Sequence, residues 1–217
     1  MLMRHGQTHA NVSGQLDTAH PGLDLTGLGQ RQAMAAAKAL ATEEINGIYV
    51  SSRVRTHQTA APSATPRAYA PTELAGLEEI QAGRFEMLAD TDSIHGYIGT
   101  VSSWIEGDLT VRMPGAESGH EFLERYDAAV AHIASLGHET ALIVSHGAAI
   151  RTWTAARMIA GTAIPDPTSP LHNTALVVLE GDPVSGWRLE RWNGTAVGGE
   201  FLDDEAAPDP TATADAD

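Results

Sequence analysis

Two histidine-containing motifs carry the residues best suited to chemistry in this chain. Arg4-His5-Gly6-Gln7-Thr8 follows a very short apolar stretch, with Asn11 one helical turn further on, and Ser145-His146-Gly147 follows the apolar run 141–144. An imidazole can serve as a nucleophile, and the fork of donors on arginine matches the oxygens of a phosphate or carboxylate group. If both motifs follow parallel strands, the two imidazoles lie at the same edge of one sheet.

Two further segments offer partners for these histidines. Arg53 and Arg55 follow a predicted strand at 45–51, which places an arginine at the same sheet edge. Glu78 and Glu79 lie on a predicted loop, where one carboxyl group can act as a general acid or base. A solvated surface acid is the ordinary alternative for either glutamate. The residue types alone do not select between the two glutamates.

Taken together and in this order, the motifs resemble those of the histidine phosphatase superfamily, in its phosphoglycerate-mutase-like, branch 1 group. The resemblance covers roughly residues 1–195. It implies that Arg55 rather than Arg53, and Glu79 rather than Glu78, belong to the site. The segments that carry it are Arg4-His5-Gly6-Gln7-Thr8, residues 25–33, residues 51–60, Glu79 with Gly83, Gly115-Ala116-Glu117-Ser118 and Ser145-His146-Gly147.

The resemblance also implies a mechanism. His5 attacks phosphorus and forms a phosphohistidine, while Glu79 acts as general acid and then as general base. Arg4, Arg55 and His146 complete the catalytic set by holding the phosphoryl oxygens. No metal ion or other cofactor is expected, although the His5–His9 spacing would allow a metal pair as a minor alternative. The implied phosphate-binding set is Arg4, Thr8, Asn11, Arg55, His146 and Gly147.

Three functions are compatible with these residues. We expect a metal-independent phosphomonoester hydrolase that acts on a small phosphorylated metabolite. A cofactor-dependent phosphoglycerate mutase is the first alternative, but a mutase must hold a second phosphorylated group, and the stretch between Glu79 and Glu117 offers only Arg84 and Arg112 as basic residues. A non-catalytic module that binds phosphorylated ligands is the second alternative.

Composition restricts the partners of the chain. Its 217 residues include 13 basic and 28 acidic residues, so the net charge of −15 disfavours nucleic acid and anionic membranes. The chain has no cysteine, no apolar run of 18 residues and no signal-like N-terminus, and we expect a cytoplasmic location. A small phosphate monoester therefore remains the expected partner. The sequence leaves open whether the protein is a monomer or a homodimer.

The order of predicted elements indicates how these residues are positioned. Strands alternate with helices and end in a hairpin at 173–179 and 187–192, which predicts a three-layer α/β/α sandwich with a mixed, mostly parallel central sheet and a C-terminal antiparallel hairpin. We expect one domain over 1–200 and an acidic, solvated tail over 201–217. Residues 88–115 are predicted to be irregular, and their apolar side chains fit either a substrate lid or the core.

Overall fold

The computed structural model describes residues 1–159, 171–204, 206–207 and 209–212. Its centre is a sheet of six strands in the order β3-β2-β4-β1-β5-β6. The four strands from β3 to β1 are parallel to their neighbours, while β5 runs antiparallel to β1 and forms a hairpin with β6. The predicted mixed sheet is thus confirmed. The strands are β1 (Leu2–Arg4), β2 (Gly47–Val50), β3 (Thr72–Glu73), β4 (Ala141–Ser145), β5 (Leu176–Asp182) and β6 (Gly186–Asn193).

Helices cover both faces of the sheet, as an α/β sandwich requires. The alternation of strand side chains explains the two layers: Leu2 and Ile143 face one core cluster, and Met3 and Val144 face the other. Residues of α2 and α3 pack on the second cluster, and residues of α4, α5 and α6 on the first. The helices are α1 (His9–Ser13), α2 (Gly27–Ala39), α3 (Val54–Ala64), α4 (Thr91–Ile105), α5 (Gly119–Ser135) and α6 (Gly147–Arg157).

The register between β1 and β4 brings the two histidine motifs together. Arg4 lies opposite Ser145, and the His5 amide donates to the Ser145 carbonyl at 3.0 Å. His5 and His146 therefore leave the sheet side by side, at the carboxyl ends of parallel strands. Gly6 is required at this point because a Cβ atom there would lie 2.7 Å from the Gly29 carbonyl oxygen at the start of α2.

One expectation about local structure is wrong. Residues 88–115 contain the 15-residue helix α4, which begins at an Asp90 cap and buries Tyr97 and Trp104 in the core. Those aromatic side chains therefore pack in the core.

The expectation of a solvated tail is also wrong for the part of it that the structure describes. Leu202 is buried, and its carbonyl accepts a hydrogen bond from Gln32 Nε2 at 2.8 Å. The Asp204 carboxylate accepts from Gln7 Nε2 at the same distance. Asp209 lies beside the histidine motifs. Acidic composition suggests solvation, but these side chains find buried donors on the body of the domain. Within the described residues, no helix has the length and apolar character needed to cross a bilayer.

Candidate active site

The predicted site residues meet in one small pocket at the carboxyl edge of the sheet. Its walls include six of the eight residues predicted for the site, together with Asp17 and Gln15. His146 lies directly behind, with its ring centroid 5.2 Å from that of His5. Gly147 opens α6 next to it. The six predicted residues that line the pocket are Arg4, His5, Thr8, Asn11, Arg55 and Glu79.

The His5 side chain has a defined tautomer. Its Nδ1 lies 2.8 Å from the Gly6 carbonyl oxygen, which can only accept, so Nδ1 carries the proton and donates. Burial, followed by the positive charges of Arg55 and Arg4, holds the pKa of His5 well below its usual value of 6.5. The ring is therefore neutral at pH 7. Its Nε2 retains a free electron pair, which is the requirement for a nucleophile.

Arg55 links the second histidine to the pocket. Its Nη2 donates to the Asp17 carbonyl at 2.8 Å and to Nδ1 of His146 at 3.3 Å. Because Nδ1 of His146 accepts, its Nε2 carries the proton and donates to Ser51 Oγ at 2.7 Å. Both ring nitrogens of His146 are therefore engaged. A contact between His146 and a ligand requires exchange of the Arg55 bond.

The Glu79 carboxyl group is fully enclosed. It accepts three backbone hydrogen bonds, from its neighbour Ile80 and from Ala148 and Ala149 in the first turn of α6. Burial raises its pKa above the usual value of 4.5, and the three N–H groups oppose that rise. The group is held in place by α6, and burial makes it a weaker acid than an exposed glutamate, a combination that suits a general acid.

Thr8 and Asn11 are joined in a capping box at the start of α1. The Asn11 carboxamide oxygen accepts from the Thr8 amide at 2.9 Å, and the Thr8 hydroxyl accepts from the Asn11 amide at 3.3 Å. Asn173 donates from Nδ2 to the His5 carbonyl at 3.1 Å and to the Asn11 oxygen at 3.3 Å. This network fixes the backbone of the first histidine motif against the start of the hairpin.

Comparison with known proteins agrees with this geometry. Residues 1–195 match the Histidine phosphatase superfamily (branch 1). The chain belongs to this family. The domain is therefore of the histidine phosphatase type, and the resemblance seen in the sequence motifs is confirmed. The confirmed fold places the arginine, histidine and glutamate motifs of this family at one sheet edge.

The relatives of this chain differ in how much of their own length it matches. The chain is 38% identical to the PE-PGRS family protein PE_PGRS11 of Mycobacterium tuberculosis strain H37Rv over 91% of the chain, but it spans only 36% of that relative's length. It is 27% identical to a glucosyl-3-phosphoglycerate phosphatase of Mycobacterium tuberculosis, over 90% of the chain and 94% of the relative. A native structure of a mycobacterial glucosyl-3-phosphoglycerate phosphatase superimposes with a TM-score of 0.73 at 26% identity, over 88% of this chain and 96% of that one.

The structure of this histidine phosphatase domain distinguishes the two arginines and the two glutamates that residue type alone left equivalent. Arg53 is buried but does not line the pocket, and its Nε donates to the Thr18 carbonyl at 2.8 Å. Glu78 accepts from the Ser52 hydroxyl at 3.0 Å and also stays outside the pocket. Arg55 and Glu79 line it, as the resemblance implied. His9 is exposed on α1, and the described residues hold no cluster of three or more potential metal ligands.

Arg125 on α5 fixes the loop that carries Glu79. Its guanidinium donates to the carbonyls of Gly76, Glu78 and Glu79, each at 2.9 Å. It also forms a two-pronged ion pair with the buried Glu117 carboxylate, at 2.8 and 2.7 Å. One half-buried side chain thus secures the loop at three of its carbonyl groups. This role of Arg125 could not be predicted from the sequence, because an arginine on a helix is most often solvated.

Two more residues of the site were not found from the sequence. Arg151 lies on α6, fully buried, and Asp209 lies in the C-terminal segment 209–212. The Asp209 carboxylate accepts from Arg4 at 3.0 and 3.2 Å and from Arg151 at 3.2 Å. The available signal for Arg151 was its position only five residues after His146. A side chain so soon after the end of β4 can still face the same edge of the sheet.

A second cavity lies far from these residues. It has a volume of about 430 Å³ and is lined by the beginnings of β1 and β4 together with Trp153 and Trp187. Ligands in α/β sheets bind at the carboxyl ends of the strands, whereas this cavity lies at the opposite end. The small pocket with His5 and Glu79 is therefore the candidate active site, despite the greater size of the other cavity.

Proposed function

We propose that the domain is a metal-independent hydrolase of small phosphate monoesters that works through a phosphohistidine on His5. The observation that carries this proposal is the state of His5: neutral, with Nδ1 anchored on Gly6 and Nε2 unprotonated, in a pocket lined by two arginines and Glu79. A neutral imidazole nitrogen among positive charges is the arrangement that attack on a phosphate dianion requires.

In the first step, the electron pair of His5 Nε2 forms a bond to phosphorus as the bond from phosphorus to the ester oxygen breaks. Glu79 donates its proton to that leaving oxygen. In the second step, water forms the new bond to phosphorus and the electron pair of the P–N bond returns to Nε2. The Glu79 carboxylate takes the proton from the water, which restores the starting state and releases inorganic phosphate.

The arginines supply the charge that the transition state needs. Nε of Arg4 and Nε of Arg55 are buried and have no hydrogen-bond partner among the described residues. Both side chains line the pocket, so these donors are available to phosphoryl oxygens. Thr8, Asn11 and the first turn of α6 at Gly147 border the same space, and a helix N-terminus favours bound anions. His146 orients Arg55 and reaches the phosphoryl group when that bond is exchanged.

Substitution of the nucleophile tests the proposal. Wild-type protein is expected to hydrolyse nitrophenyl phosphate in the presence of a chelator, and His5→Ala is expected to abolish that turnover because no other unprotonated ring nitrogen lines the pocket in the described structure. His9→Ala is the matched control, since His9 is exposed in the same segment and outside the pocket. Near wild-type turnover by His5→Ala would refute the mechanism.

The positions of the two basic residues between Glu79 and Glu117 favour a hydrolase over a mutase. Arg112 forms an exposed ion pair with Glu121, and Arg84 does not line the pocket. We therefore expect phosphate release rather than transfer. Incubation with 3-phosphoglycerate and bisphosphoglycerate checks this, and efficient formation of 2-phosphoglycerate would overturn the hydrolase assignment.

A further inference from the structure

The guanidinium group of Arg151 is buried in the body of the domain, and among the described residues its hydrogen bonds go to the C-terminal segment alone. Nη1 donates to the Asp209 carboxylate at 3.2 Å, and Nη2 donates to the Thr211 carbonyl. Nε has no partner among the described residues. Arg151 therefore faces the segment 209–212, and Asp209 is its only ion-pair partner among the described residues.

The same segment covers the candidate active site. Pro210 and Thr211 line the pocket together with His5 and Glu79, and the free volume left there is about 20 Å³. A water molecule needs roughly 10–15 Å³ measured in this way, so the pocket has room for about one water and not for a phosphate ester. A substrate must therefore displace the segment, and this movement also withdraws the Asp209 carboxylate from Arg4 and Arg151.

The position of Asp209 separates its carboxylate from the phosphoryl pocket. In the described structure, its hydrogen bonds go to Arg4, Arg151 and Thr211, and none goes to His5, Arg55 or His146. A Cβ atom on Gly147 would lie 3.4 Å from Asp209 Oδ2, so the carboxylate lies against the first residue of α6. It occupies a cradle between two guanidinium groups, beside the place where the reaction occurs.

Arg4 can serve both places at once. Its two Nη atoms hold the Asp209 carboxylate, and Nη1 also donates to the Leu171 carbonyl at 2.6 Å. Its Nε remains without a partner among the described residues and is free for a phosphoryl oxygen. A ligand could thus place a phosphoryl group at Nε of Arg4 and a carboxylate at its Nη atoms. That carboxylate would replace the bonds to Arg4 and Arg151 that are lost when Asp209 is displaced.

We propose that Arg151 and Arg4 form a carboxylate subsite beside the phosphoryl pocket, and that the substrate is a phosphate monoester carrying a carboxylate group in the same small molecule. The proposal rests on the proposed function, because it takes the phosphoryl pocket as given. A buried guanidinium left without a counter-charge is strongly unfavourable. A phosphate ester with a carboxylate restores that counter-charge when the segment 209–212 is displaced. A phosphate ester that lacks a carboxylate leaves Arg151 without an ion-pair partner.

Two ligands of equal length test the subsite. 3-Phosphoglycerate and glycerol 3-phosphate differ by a carboxylate in place of a hydroxymethyl group. Each is measured as a competitive inhibitor of nitrophenyl phosphate hydrolysis, so neither has to be turned over. The wild-type protein is expected to bind 3-phosphoglycerate about tenfold or more tightly than glycerol 3-phosphate, in line with the strength of hydrogen bonds between charged groups. Arg151→Met is expected to reduce that ratio by about tenfold.

Matched variants keep the test decisive. Arg157→Met is the control, since Arg157 lies on the same helix and pairs with Asp127 at the surface, so the ratio should stay at the wild-type value. If Arg151→Met does not fold, Arg151→Lys replaces it. Lysine keeps the charge but loses the fork, and a fall of about threefold is then expected.

Each remaining outcome has one meaning. Equal affinities in the wild-type protein, or an unchanged ratio in the Arg151 variant that folds, would overturn the subsite while leaving the hydrolase intact. Equal weakening of both ligands would mean that Arg151 holds the phosphoryl group, which also overturns it. Absence of nitrophenyl phosphate hydrolysis would contradict the proposed function instead, and calorimetric affinities for the same two ligands would then decide the subsite.

Discussion

Asp209 and Arg4 form a buried, two-pronged ion pair, with Nη1 3.0 Å and Nη2 3.2 Å from the two carboxylate oxygens. Burial opposes ionisation of Asp209, but the charges of Arg4 and Arg151 hold its pKa below the usual value of 3.8. The carboxylate is therefore charged at neutral pH. It shares Arg4 with the proposed phosphoryl pocket, which keeps the Nε of that side chain, and it anchors the segment that fills the pocket.

Asp209→Asn is expected to strengthen inhibition by inorganic phosphate. The amide keeps the shape of the side chain but removes the negative charge, so the segment that fills the pocket is held less tightly and phosphate displaces it more easily. A fall in the inhibition constant of about fivefold or more is expected, given the strength of charged hydrogen bonds. Glu200→Gln, an exposed acid in the same part of the chain, is the control. An unchanged or higher inhibition constant for Asp209→Asn would show that the ion pair does not compete with phosphate.

Glu79→Gln is expected to slow hydrolysis most when the leaving group is poor. Glycerol 3-phosphate needs a proton on its leaving oxygen and should lose roughly 10²–10⁴-fold in kcat. Nitrophenyl phosphate has a stable leaving anion and should lose much less. Glu78→Gln is the neighbouring control, because Glu78 lies outside the pocket. Equal losses on both esters would exclude Glu79 as the general acid.

Activity is expected to fall at both low and high pH, because His5 must be neutral and Glu79 must be protonated. Activity requires neutral His5 and is lost as the pH falls through its lowered pKa, well below 6.5. It also requires protonated Glu79 and is lost as the pH rises through its raised pKa, above 4.5. The profiles of the wild-type protein and Glu79→Gln share the ionisation of the ester, so their difference isolates Glu79. A basic limb in Glu79→Gln that is unchanged from the wild-type limb would contradict this assignment.

Arg125→Met is expected to destabilise the fold strongly. It leaves the buried Glu117 carboxylate without its cation and three loop carbonyls without a donor, at a cost of about 3–5 kcal/mol. Arg112→Gln removes the exposed pair with Glu121 and should cost no more than about 1 kcal/mol. Denaturant titration measures both. Similar small losses for the two variants would mean that the Arg125 contacts do not stabilise the loop.

The histidine motifs were predictable because sheet topology alone positions them. Strands that alternate with helices pair in parallel, and this places residues after each strand at a common edge, however far apart they are in sequence. Arg4, His5 and His146 therefore converge as expected. Arg55 and Glu79 needed the resemblance, since their neighbours Arg53 and Glu78 have the same chemistry and the choice between them depends on which side chain faces the pocket.

Other features could not be derived from local sequence. Helix α4 contains Gly96, which disfavours a helix but allows close packing, since a Cβ atom there would lie 2.6 Å from the Phe85 ring. Asp209 belongs to an acidic segment whose composition is typical of solvated chain. Its docking depends on Arg4 and Arg151, which come together only in the folded domain. Long-range complementarity of this kind leaves no periodic signal in the sequence.

Direct detection of the covalent intermediate tests the central claim most sharply. Wild-type protein mixed with nitrophenyl phosphate and quenched rapidly is expected to gain the mass of one phosphoryl group, located on the peptide that contains His5. His5→Ala is expected to gain none and to show no turnover. A wild-type protein that turns over substrate without this adduct on the His5 peptide, or a His5→Ala variant that still turns over, would contradict the phosphohistidine mechanism.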